Sequence, residues 1–142
     1  MIHSTATRYA IRAVCLLAER PPDGCVHARE ISEVLGVPYH SLSKILQDLA
    51  RKRILSSTKG PGGGFRLSRS PDETTLYTLI EAVEGPIRDD ECMLGLDLCS
   101  DETACPMHNV WKTFKTTFRD KMQSISLADV VRAAERKRQV RA

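Results

Sequence analysis

No stretch of this 142-residue chain approaches the run of about 20 apolar residues that a membrane-spanning helix needs, so no membrane partner is expected. The opening segment MIHSTATRYAIRAVCLLAE has an apolar centre, but Arg8 and Arg12 interrupt it and no cleavage-like ending follows. It does not read as a secretory leader, and a cytoplasmic protein is the expectation. Two catalytic signatures are also missing. The glycine run GPGGG leads into Phe65 rather than a Lys-Ser or Lys-Thr pair, which argues against a phosphate loop. No Cys-x-x-Cys occurs, so the close spacing of a nucleophilic and a resolving thiol is lacking. Neither an enzymatic reaction nor a small-molecule substrate is expected. Aromatic residues are scarce at 5%, while the hydrophobic content of 42% is ordinary for a globular chain.

Basic residues are nearly missing from one region only. Residues 72–110 hold one Arg against 10 acids, whereas residues 1–71 carry 11 Lys or Arg against 5 acids, and residues 111–142 carry 9 against 3. The first part can face a polyanion; the middle cannot.

Helical periodicity is clear where the charge is basic. Ala6, Tyr9, Ala10, Ala13, Val14 and Leu17 repeat at helical spacing, and RPPDG ends that helix. A second helix is expected from about His27 to Leu35, closed by Gly36. Pro38 then opens a third, which turns Leu42, Ile45, Leu46 and Leu49 inward. Two helices joined through LGVP form a helix-turn-helix candidate. In ILSSTKGPGGGFRLSR, two strand-like runs flank a turn whose glycines suit positive φ. That order describes a winged-helix DNA-binding domain, with Lys59 and Arg66 beside the wing tip. A further helix, TTLYTLIEAVEG, is capped near Thr74 or Thr75 and ends at Gly85. From about Met107 a long helix carries Val110, Trp111, Phe114, Phe118, Met122 and Ile125 in near-heptad spacing, which suits a second copy of the same helix, with packing back on its own domain as the alternative. Ser126 caps a last helix, and the tail RKRQVRA reads as frayed.

The segment ECMLGLDLCSDETACPMH lies in the acidic region. Five cysteines without an export signal point to metal ligands or redox thiols rather than a disulfide framework. Cys15 fits a small core position, and Cys25 has no evident partner. Cys92, Cys99 and Cys105 lack tight zinc knuckles. With His108 one turn beyond Cys105, they form a soft donor set for an iron–sulfur cluster, with zinc or redox thiols as the alternatives.

RYAIRAV, GVPYHSLSKIL, STKGPGGGFRL and C…C…CPMHNVW together resemble the bacterial IscR/NsrR-type winged-helix regulators, a group that includes RirA and CymR. The resemblance spans residues 1 to about 130. It implies a homodimeric transcription factor, mainly α with a small β-hairpin wing, with a long dimerisation helix and an iron–sulfur cluster of 2Fe–2S or 4Fe–4S type. The implied cluster ligands are Cys92, Cys99, Cys105 and His108. NsrR-like chains complete the site with a partner's acid at the position of Arg8, which cannot ligate. This chain has six residues between its first two cysteines where IscR- and NsrR-like chains have five, and Asp97 or another acid is the competing fourth ligand.

The reading assigns residues 1–85 to DNA binding, 86–106 to the cluster loop and 107–142 to the dimerisation and C-terminal helices. Tyr39, His40, Ser41, Ser43 and Lys44 are the candidates for reading double-stranded DNA in a major groove. Lys59 and Arg66 are candidates for phosphates or a minor groove, and Arg8 is a candidate for a phosphate. IscR-like chains carry an acid at the position of Ser43. A repressor sensing iron, redox state or nitric oxide is the expected role, and a cluster-free or zinc-binding repressor with directly redox-sensing cysteines is the alternative.

Overall fold

The computed structural model describes residues 4–142. Ser4 accepts a hydrogen bond from the Thr7 amide at 3.2 Å and caps helix α1, Thr5–Ala18. The Glu84 carboxylate accepts from the Ser4 amide at 2.9 Å and from the Ser4 and Thr7 hydroxyls. An anion is well placed at that helix N-terminus. Helix α2, Ala28–Leu35, stops at Gly36, whose φ of 63° is left-handed. Helix α3, Tyr39–Arg51, starts directly after Pro38. The expected helix-turn-helix forms because Ile31, Leu42, Leu46 and Leu49 are fully buried with Ala10 and Ala13 of α1. The buried Ser32 hydroxyl braces the turn by donating to the Val37 carbonyl at 2.7 Å.

Strands β1, Leu55–Thr58, and β2, Gly64–Leu67, pair antiparallel with Leu55 opposite Leu67. Gly64 serves more than the turn. Val26 and Phe65 exchange main-chain hydrogen bonds of 2.9 and 2.8 Å, and a Cβ at Gly64 would stand 2.4 Å from the Val26 carbonyl. The wing is thereby pressed onto the segment entering α2.

Thr75 caps α4, Leu76–Glu84, by accepting from the Thr78 amide at 3.1 Å. After the cysteine loop come α5, His108–Ser124, and α6, Leu127–Arg141. Ser126 and Asp129 close a capping box on α6. This last helix folds back on α1: Leu127 joins the common core and Arg138 pairs with Glu19. The tail is therefore helical to Arg141 rather than frayed. No helix among the described residues is long and apolar enough to cross a membrane.

Helix α5 turns two different stripes in two directions. His108, Lys115 and Met122 are buried. Trp111, Phe114 and Phe118 stack in series at 5.5 and 5.4 Å between ring centroids. Phe114 is 37% exposed and Val110 64%.

Candidate functional site

Helix α3 and the wing enclose a groove of about 980 Å³, lined by Tyr39, Ser43, Gln47 and Arg51 on one side and Thr58 and Lys59 on the other. Arg29 of α2 also lines it, with its guanidinium 4.6 Å from the Tyr39 ring centroid. His40 and Lys44 are exposed on the same helix. Ser41 and Lys44 border a separate hollow with Asp48 and Val83. Arg8 is exposed on α1 and donates to Thr5 Oγ1 at 3.2 Å. Arg66 lies away from the groove, donating to the Pro22 carbonyl at 3.5 Å. Sequence reasoning did not single out Arg29, Gln47 or Arg51 as groove residues, although Gln47 falls on the exposed side of the third helix. The spacing Ser43–Gln47–Arg51, one turn at a time along α3, is the signal that could have found the latter two.

The cysteine loop is held from α5. The Lys115 ammonium, 4% exposed as a residue, donates to the carbonyls of Arg88, Asp89 and Glu91 at 3.3, 2.6 and 3.2 Å. Trp111 Nε1 donates to the Glu91 carbonyl at 2.9 Å. Arg119 donates to the Ile87 carbonyl at 3.1 Å and pairs with Asp89 at 2.7 Å. Three side chains at successive turns thus grip the main chain just before Cys92. The Cys99 amide then donates to the Asp90 carbonyl at 3.0 Å, which returns the loop to its start.

The four sequence candidates meet as two pairs. Cys92 Sγ lies 4.0 Å from Cys105 Sγ, and Cys99 Sγ lies 3.1 Å from His108 Nδ1. Cys92 and His108 are buried, while Cys99 and Cys105 are half-buried. Amide N–H groups of Leu94 and then Leu96 aimed at the Cys92 sulfur hold its thiol below the ordinary range, against the effect of burial. On the far side of the imidazole, His108 Nε2 is 2.8 Å from Asp101 Oδ1. Hydrogen bonds from His108 and then Lys112 keep that carboxyl below its usual range. Asp97 is exposed. Among the described residues, no three Cys, His, Asp or Glu side chains converge as a single-ion site would require. Cys15 is buried in α1, and Cys25 is half-buried with its sulfur 3.9 Å from Thr58 Oγ1.

A model of the Rrf2 family, described as an iron-dependent transcriptional regulator, matches residues 3–133. The HTH-type transcriptional regulator IscR of Aliivibrio salmonicida is 30% identical over 124 residues, covering 87% of this chain and 73% of that protein. Among solved structures, T. potens IscR matches with a TM-score of 0.74 at 25% identity, over 96% of this chain and 90% of that one. CymR, the global cysteine regulator of B. subtilis, matches in fold with a TM-score of 0.76 at 20% identity, over 94% and 98% of the two chains.

Proposed function

The chain belongs to the Rrf2 family of transcriptional regulators, and from that premise we propose that it is a homodimeric sensor that holds a 2Fe–2S cluster at Cys92, Cys99, Cys105 and His108. It is a DNA-binding transcriptional regulator, not an enzyme. The pairing of donors is the observation that carries the cluster. Two thiolates on one tetrahedral metal with bonds of about 2.3 Å stand ~3.8 Å apart. Cys92 and Cys105 lie at 4.0 Å, and Cys99 and His108 form the second pair. Two irons with two protein ligands each use both pairs. A four-iron cluster gives each iron one protein ligand, and one zinc needs all four donors on one point, so neither calls for pairing.

When bound, such a cluster supplies a redox centre whose potential an imidazole ligand raises. The chain's own residues link that site to DNA. His108 begins α5, and Trp111, Lys115 and Arg119 of the same helix grip residues 87–91. Drawing the four donors together therefore stiffens the helix whose outward aromatic stripe we assign to the second copy. The spacing of the two α3 helices on a roughly palindromic operator follows from that interface. Residues 1–85 would bind DNA, 86–106 with His108 would hold the cluster, and 107–142 would supply the dimerisation helix α5 and the C-terminal helix α6, which folds back on α1; residues 1–3 lie outside the described residues.

Anaerobic purification with iron and sulfide analysis tests this reading. About two irons and two acid-labile sulfides per chain, with absorption bands between about 320 and 460 nm, would support it. Protein that stays colourless after anaerobic reconstitution would reject it. One observation favours a second reading. At 4.0 Å, Cys92 and Cys105 need only a small approach to close a disulfide. A cluster-free thiol sensor would be colourless, and oxidant would change its DNA affinity only while both cysteines are present.

A further inference from the structure

We propose that Asp101, braced by Lys112, is the positioning residue that sets His108 as a ligand through Nδ1. The inference rests on the cluster reading above. A carboxylate can only accept a hydrogen bond, so the 2.8 Å contact between Asp101 Oδ1 and His108 Nε2 places the ring hydrogen on Nε2. In the neutral ring, Nδ1 then carries the lone pair, and it faces Cys99 Sγ at 3.1 Å. The ring is shut off from water, its side chain 6% exposed, so a protein group must fix its orientation. Asp101 is itself 74% exposed and would swing freely without a brace. Lys112, one turn after His108 on α5, supplies that brace from 3.0 and 3.2 Å on the two carboxylate oxygens. The chain Lys112–Asp101–His108–Cys99 thus runs from the surface to the donor set. In metal sites a carboxylate so placed fixes the tautomer and raises the basicity of the imidazole.

The test begins on reduced, metal-free protein with nitrogen-labelled histidine at pH 8. Proton–nitrogen correlations should show His108 with its hydrogen on Nε2 in the wild type, a tautomer mixture in Asp101→Ala, and the wild-type form again in Asp101→Glu. After anaerobic reconstitution, Asp101→Ala should lose iron to a chelator about tenfold faster than wild type. Its reduction potential should rise, because an anion has gone and the imidazole is less basic; Asp101→Glu should restore both. A His108 tautomer unchanged in Asp101→Ala overturns the assignment, as does an unchanged potential. Wild-type protein that takes up no cluster would defeat the cluster reading instead, and the metal-free spectra would still decide what Asp101 does to His108.

Discussion

Lys115 sits in a basic stretch that reads as solvated helix surface, yet its ammonium is buried among three carbonyl oxygens. A buried charge without partners is costly, and three charge-assisted hydrogen bonds offset that cost. Lys115→Met removes the donor from the carbonyls of Arg88, Asp89 and Glu91. We expect a loss of about 1–3 kcal/mol in stability, with faster hydrogen exchange confined to residues 87–92. Unchanged exchange there would mean that Trp111 and Arg119 hold the loop without it. The sequence displayed the three loop cysteines and His108 because their side chains carry the chemistry. It did not display Lys115, because the partners are main-chain groups more than 20 residues away with no side-chain signature. A different residue-scale expectation concerns Cys15. Burial pushes its thiol above the ordinary range, with Arg138 opposing in part. Only the thiolate is nucleophilic, so iodoacetamide at pH 8 should leave Cys15 unmodified in the folded protein. Labelling of Cys15 as fast as half-buried Cys25, read by mass spectrometry, would contradict this.

At the scale of elements, helix ends were legible because their causes are local. Gly36, Pro38, Thr75 and Ser126 each stop or start a helix through their own backbone or hydroxyl. The inward face of α5 was not: the apolar spacing puts Met122 in one stripe with Val110, Trp111, Phe114 and Phe118, yet Met122 is buried with His108 and Lys115. Loop carbonyls, unseen in the pattern, draw in Lys115 and hold the indole N–H of Trp111. In the wing, Gly64 combines a φ of 120° with the close approach to Val26. Gly64→Ala should cost about 2 kcal/mol, seen as a lower urea midpoint; a midpoint equal to wild type would show that the wing shifts freely. Helix α3 and the wing divide the proposed DNA contacts. Lys59→Ala should weaken binding to all sequences and lower the salt slope by about 1, whereas Lys44→Ala should relax sequence preference. Arg66→Ala should change operator affinity little, since its guanidinium points to Pro22. Titrations by fluorescence anisotropy at several salt concentrations separate these outcomes, and equal loss of specificity in all three variants would defeat the division.

For the whole molecule, the proposed dimer covers the aromatic stripe of α5 with a second copy. Phe114→Asp places a charge in the middle of the three stacked rings. Sedimentation should show a dimer for the wild type and a monomer for the variant, with helical content preserved by circular dichroism; a variant that stays dimeric would move the interface elsewhere. The central claim, however, is that two pairs of donors hold two irons. A Mössbauer spectrum of protein reconstituted anaerobically with isotopically enriched iron tests it most directly. The account predicts two doublets of equal area, one from iron bound by Cys92 and Cys105 and one from iron bound by Cys99 and His108. A single kind of iron, or the signature of a four-iron cluster, would contradict it.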